Sequence, residues 1–189
     1  NSVPGNRAFA KSLVKVGREE FREWNPYHSK AAAAILKGIK SFPLTKGSKI
    51  LYLGISSGST ASFFSDIIGP EGVIYGVEIS ERSMRDLSNV AEKRKNIVPV
   101  LADSRRPETY SWIEPVDVVY QDVATNDQSE ILIRNAKQFL VKGGIAMLAI
   151  KSRSIDVTRP PKEIFKQERQ KLSRAMKVLE FMDLEPYEK

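Results

Sequence analysis

Short apolar runs separated by turn residues recur along the chain, at 49–53, 73–77, 97–101, 116–120 and 145–150. Runs of this length suit buried strands better than helices. Stretches of helix length lie between and after them, at 59–68, 81–95, 127–140 and 161–176. Apolar strands alternating with helices predict an α/β fold built on a mostly parallel, doubly wound sheet. A sixth strand is expected at 178–182. Ahead of the first strand, Ser29 is placed to cap a helix rich in Ala and Leu from 30 to about 40. Earlier still, 13–16 and 21–24 flank Gly17 and Arg18 as the arms of a hairpin. Asn25-Pro26 then breaks the pattern. The expected organisation is a short β lead-in over 1–26 and one domain over 27–189.

Length and composition narrow the chemistry. The chain has 189 residues, enough for about one domain with a sizeable core. Cysteine is absent, which removes disulfides, thiolate nucleophiles and Cys-ligated zinc. The single histidine, His28, excludes a multi-His metal site. No apolar run approaches the roughly 20 residues of a membrane-spanning helix. The opening Asn1-Ser2-Val3-Pro4-Gly5 has no apolar signal core and no initiator Met, so a trimmed or partial product in the cytoplasm is expected. The 30 Lys and Arg exceed the 23 Asp and Glu, giving a net charge of +7. That excess points to a polyanionic partner such as nucleic acid, although many basic proteins bind no polyanion specifically.

In a doubly wound sheet the ligand lies beyond the carboxyl ends of the strands, at the switch point. After the first of the five strands comes Gly54-Ile55-Ser56-Ser57-Gly58-Ser59-Thr60. Small residues let the backbone approach a ligand, and the helix that follows offers free N–H groups. The G-x-x-x-G spacing departs from the dinucleotide fingerprint, and no G-K-[ST] follows, so a pyrophosphate or Walker-type cradle is disfavoured. A plain strand–helix turn would look much the same. The second strand ends at Glu78, placed to accept both hydroxyls of a ribose, or to cap the next helix. The third ends at Asp103-Ser104, where an acid can accept from an adenine amino group or close a loop. A glycine turn, Glu78 and Asp103 around one cleft suit an adenosine without phosphates, hence S-adenosylmethionine. The fourth strand ends at Asp122 and the fifth at Lys151. An acid and a lysine facing a sulfonium could position or deprotonate an alcohol. A turn Asp and a surface Lys remain the bland alternatives.

Several ordered segments resemble one family. Arg22-Glu23-Trp24-Asn25-Pro26-Tyr27-His28-Ser29-Lys30 resembles the motif before the first core helix of the fibrillarins, and Leu51 to Thr60 their cofactor loop. Gly69-Pro70-Glu71-Gly72-Val73-Ile74-Tyr75-Gly76-Val77-Glu78 and Asp122-Val123-Ala124-Thr125-Asn126-Asp127-Gln128 match as well. Leu184-Glu185-Pro186-Tyr187-Glu188 is similar to a stretch near the family's end. The resemblance runs from about Val14 to Lys189, without a Gly/Arg-rich tail, as in the archaeal form.

The resemblance implies a Rossmann-like, S-adenosylmethionine-dependent ribose 2′-O-methyltransferase acting on rRNA or tRNA. It implies a box C/D ribonucleoprotein in which a guide RNA selects the target RNA, a Nop-family scaffold protein docks the enzyme, and a kink-turn-binding ribosomal-type protein anchors the guide. The family's site is a Lys-Asp-Lys-His tetrad. Lys30, Asp122 and Lys151 match its first three members. The His and the last strand would follow Glu188, and the sequence stops at Lys189; His28 sits where the family often has Arg. By the same resemblance, Gly54, Gly58, Ser59 and Thr60 lie along the cofactor's methionine part, Glu78 and Ile79 meet its ribose, and Asp103 and Ser104 meet its adenine. Asp122, Val123, Ala124 and Thr125 line the transfer side, with Thr125 replacing a commoner Gln.

A 2′-hydroxyl is a poor nucleophile at neutral pH and needs deprotonation or strong orientation. Lys151 is expected in that role, with Asp122 holding Lys151 and the sulfonium, and Lys30 steadying the group or a phosphate. Arg105, Arg106, Lys151, Arg153, Arg159 and Lys162 are candidate RNA contacts, or parts of a solvated basic loop. Two rivals keep the same fold: a methyltransferase for a non-RNA substrate, and a non-catalytic RNA-binding scaffold. A nicotinamide oxidoreductase is disfavoured by Ser56 in the glycine loop.

Overall fold

The computed structural model describes residues 1–187. Two strands, β1 (Leu13–Val16) and β2 (Glu19–Arg22), form an antiparallel hairpin. Gly17 at φ +61° makes its turn, and the second arm begins two residues earlier than the sequence suggests. The main sheet holds β3 (Lys49–Leu53), β4 (Val73–Glu78), β5 (Ile97–Leu101), β6 (Val116–Gln121) and β7 (Leu140–Leu148). Its order is β5-β4-β3-β6-β7, with every pair parallel. The first five expected strands are all present, and the order reverses between β3 and β6, as a doubly wound sheet requires.

Among the described residues six α-helices connect or flank the strands: α1 (Lys30–Leu36), α2 (Ser59–Ile68), α3 (Glu81–Lys93), α4 (Gln128–Phe139), α5 (Ser152–Ile155) and α6 (Pro161–Ala175). Alternation along β3 splits the core into two layers. Ile50 and Tyr52 face Phe64, Ile68 and Leu87 on one side. Leu51 and Leu53 face Ile131, Phe139 and Leu172 on the other. Helix α1 starts where expected, with the Ser29 hydroxyl accepting from the Ala32 N–H, but ends four residues early. Gly38 at φ +85° turns the chain there, and the Ile39 N–H closes on the Ala34 carbonyl.

The hairpin is fastened to α2. The Trp24 ring stacks on Phe63 at 4.9 Å, and the Arg22 guanidinium lies 4.0 Å from the centre of the same ring. Arg22 and Arg94, both buried, share the carboxylate of Asp66 at 2.9 and 2.5 Å. Burial pushes Asp66 up, but hydrogen bonds from the Ser2 N–H, Arg94, the Ser2 hydroxyl and Arg22 outweigh it and hold the carboxyl at about 2.

The expected sixth strand does not form. Residues 177–184 run without regular structure and pair with no strand. Their contacts go elsewhere: the Glu180 carboxylate accepts the N–H groups of Lys40 and Ser41 at 3.1 to 3.2 Å, and the Lys37 ammonium donates to the Glu185 carbonyl at 2.6 Å. Strand β7 therefore has no partner on its outer side among the described residues. It begins earlier than expected because Leu140 pairs with Val116 across an irregularity at Gly143-Gly144. An apolar groove of about 1550 Å³ runs between β7, α6 and the 177–186 segment. The family-like stretch at 184–188 is described as far as Tyr187, whose ring meets Tyr27 edge-on at 5.2 Å; Glu188 lies outside the described residues.

Candidate active site

The sheet's register assembles the site. Leu53 pairs with Val77 on one side and Gln121 on the other, so the next residues, Gly54, Glu78 and Asp122, form a row across three strand ends. The row lies at the switch point, where open α/β sheets present their ligands.

Asp122 is the centre. Its Oδ1 lies 2.9 Å from the Lys151 ammonium and 3.3 Å from the Lys30 ammonium. Lys151 also donates to the Asp122 carbonyl at 2.9 Å. Three positions far apart in sequence thus meet in one ion-paired cluster. Lys30 is delivered by the first turn of α1, Asp122 by the end of β6 and Lys151 by the segment after β7. All three side chains are largely screened from solvent, at 18%, 19% and 29% exposure. Below them, the Ser29 and Thr60 hydroxyls lie 3.0 Å apart. Burial pushes the Tyr52 hydroxyl well up, the Asp122 charge adds to the effect, and Thr60 partly offsets it. The phenol beneath the cluster is accordingly neutral.

The residues expected to hold the cofactor follow the ends of β3, β4, β5 and β6. Gly54, at φ +74°, has no room for a side chain, since a Cβ would meet Val123 at 2.9 Å and the Asp122 carbonyl at 3.0 Å. Gly58, at φ +84°, opens α2, where a Cβ would meet Leu87 at 2.7 Å. Ser59 and Thr60 follow in the first turn, and the Thr60 side chain is buried toward Ser29. Glu78 accepts the Ser56 N–H on one oxygen and the Ser80 N–H on the other, at 2.9 and 2.8 Å. It tethers the glycine loop as well as standing at the cleft. Ile79 beside it is 64% exposed. Asp103 accepts the Arg105 N–H in a tight turn, and the Ser104 carbonyl is held by Asn135 at 2.9 Å. Val123 is buried under Gly54, Ala124 is exposed, and Thr125 is held through its carbonyl by Gln128.

Two features escaped the sequence reading. Arg105, expected as an RNA contact, grips Asp127 with two bonds of 2.8 and 3.0 Å and so joins the loops after β5 and β6. Arg106 and Arg159 are likewise paired, with Glu108 and Glu163. Gln128, quoted only as part of a motif, is fully buried at the start of α4 and bonds to Lys151. His28 is exposed on a 3-10 turn. Among the described residues no cluster of metal-binding side chains occurs, and no helix is long and apolar enough to cross a membrane.

The fibrillarin family model matches residues 1–189. The chain belongs to the fibrillarin family. A fibrillarin-like rRNA/tRNA 2′-O-methyltransferase of Pyrococcus furiosus is 50% identical over all of this chain and 84% of its own length. The crystal structure of Aeropyrum pernix fibrillarin with natively bound S-adenosyl-L-methionine superposes with a TM-score of 0.91 at 49% identity, covering 99% of this chain and 82% of that one. A fibrillarin in a fibrillarin/Nop5p complex superposes with a TM-score of 0.85 at 41% identity, over 94% and 86%. The strand-end row and the Lys30–Asp122–Lys151 cluster of this fibrillarin thus sit in a fold that these relatives share.

Proposed function

We propose that this fibrillarin transfers the methyl group of S-adenosylmethionine to a ribose 2′-oxygen of rRNA or tRNA. The target nucleotide is chosen by a box C/D guide RNA in a cytoplasmic assembly that includes a Nop-family scaffold protein and a kink-turn-binding ribosomal-type protein. The observation that carries this reading is the convergence of Lys30 and Lys151 on the Asp122 carboxylate, in line with the row of strand ends at Gly54 and Glu78. The sequence and fold shared with the Pyrococcus and Aeropyrum proteins support it. The Nop5p complex of a relative supports the scaffold.

The residues fit the cofactor. An ionised carboxylate accepts about four hydrogen bonds, and Glu78 uses one on each oxygen for the loop amides. Lone pairs remain for two ribose hydroxyls. Acids at Glu78 and Asp103 suit neutral hydroxyls and an amino group and would repel a pyrophosphate. When bound, S-adenosylmethionine supplies an electrophilic methyl on a cationic sulfur. Asp122 provides the negative charge facing that cation. The Lys151 ammonium has three N–H donors. One meets the Asp122 carbonyl while the ammonium sits 2.9 Å from Oδ1, so a further N–H can hold the 2′-oxygen in line for attack, and the proton that this oxygen gives up on taking the methyl passes to solvent water. Lys30 steadies the same carboxylate, donating to Oδ2 at 3.4 Å. Alignment of this kind accounts for about 7–11 kcal/mol of barrier in well-oriented reactions.

The test is labelled methyl transfer to a guide-paired RNA, with and without the guide assembly, the product being mapped by resistance to alkali at one ribose. Transfer at a single 2′-oxygen only in the assembly supports the reading. Equal transfer to unguided RNA would remove the guide. Transfer to a protein or small molecule instead would move the site to another substrate. In the active assembly, Lys151→Ala is expected to abolish transfer with cofactor affinity nearly unchanged.

A further inference from the structure

The last rung between β6 and β7 is the Ala149 N–H donating to the Gln121 carbonyl at 2.9 Å. Lys151 lies beyond it, outside the sheet, so the ladder does not place the residue whose ammonium meets Asp122. The side-chain amide of Gln128 takes over. Its Oε1 accepts the Lys151 N–H at 2.9 Å, and its Nε2 donates to the Lys151 carbonyl at 3.1 Å. Gln128 thus offers Lys151 the same acceptor and donor that a residue on a neighbouring strand would offer.

The second Nε2 hydrogen goes to the Thr125 carbonyl at 2.7 Å, inside the loop that follows Asp122. Both hydrogens and the oxygen of one buried amide are therefore in use, with full exclusion of water. The amide is itself held: Gln121, the residue before Asp122, donates its Nε2 to the Gln128 carbonyl at 2.7 Å. Two glutamines tie the end of β6, the loop 122–127 and the backbone of Lys151 into one unit.

We propose that Gln128 is a positioning residue for methyl transfer, setting the Lys151 ammonium against Asp122 by fixing the Lys151 backbone. The inference rests on the role of Lys151 given above. Gln128→Met keeps the length and removes the amide. It is expected to lower kcat by roughly 30- to 100-fold, as a displacement of about 1 Å at a reacting group does, with the cofactor Kd within threefold of wild type. Ser129→Ala is the control, one residue along the same buried turn. Its hydroxyl bonds to Glu168 on α6, away from Lys151, and its loss is expected to lower Tm and leave kcat unchanged.

A kcat for Gln128→Met within threefold of wild type overturns the inference, as does an equal fall in Ser129→Ala. Lys151→Ala, assayed alongside, separates the two readings. Full activity in that variant sinks the role of Lys151 itself; inactivity there with a normal Gln128→Met sinks only the positioning role. If Gln128→Met fails to fold, the unaltered protein still decides. The Lys151 amide hydrogen is expected to be protected from exchange although it lies past the last rung, and exchange at the rate of an open loop overturns the proposal.

Discussion

Asp122 sets one carboxylate between two ammonium groups, all three mostly out of water. Asp122→Asn keeps the shape and removes the charge, leaving two lysines to repel each other and the cofactor's cation. Transfer in the guide assembly is expected to fall on the order of a hundredfold or more, read as labelled product per minute. A second carboxylate, Asp66, acts on stability. Its folded value of about 2 lies below its ordinary 3.8, so its contribution is present above pH 4 and is lost as pH falls toward 2. The shift corresponds to roughly 2 kcal/mol. Urea midpoints of wild type are expected to drop through that window, and Asp66→Asn is expected to flatten that part of the curve. Lys30, Asp122 and Lys151 were legible in the sequence because each ends an element or sits in a quoted motif. Gln128 and Asp66 were not. A glutamine opening a helix and an aspartate inside one carry no signal until the fold shows what lies beside them.

At the scale of elements, the strands were easy to read because parallel strands buried on both faces are continuous apolar runs. Boundaries failed where the turn chemistry was strong, as at Gly38, or where a bulge extended a strand, as at Gly143-Gly144. The glycine loop makes the dependence on backbone concrete. Gly58→Ala puts a Cβ at positive φ and 2.7 Å from Leu87. A loss of roughly 2–4 kcal/mol is expected, from backbone strain and overpacking together. Gly54→Ala pushes instead on Val123 and the Asp122 carbonyl. Calorimetry is expected to show weakened cofactor binding in Gly54→Ala out of proportion to its change in Tm. A loss of binding that merely tracks Tm would separate the loop from the site.

At the scale of the molecule, the open side of β7 lies beside an apolar groove. Unpaired edges invite pairing with other chains. We propose that 27–189 is the body of a methyltransferase domain whose sheet takes one further strand in this groove, and that 1–26 belongs to a small N-terminal β region. Amides on the outer side of β7 are expected to exchange rapidly in the 189-residue chain. They are expected to become protected in a version extended to the full span of its relatives; unchanged exchange there would leave the groove to some other occupant. The sheet order carries a further consequence, for the time course of folding. Strands β3, β4 and β5 are neighbours in sequence and can pair as each helix forms. Asp122 reaches the cleft only when β6 returns to lie against β3, joining residue 53 to residue 121. Long closures of this kind come late. Gly54, Glu78 and Asp103 are therefore expected to come together before Asp122 and Lys151 join them, so a chain still emerging from the ribosome would have the handle before the blade.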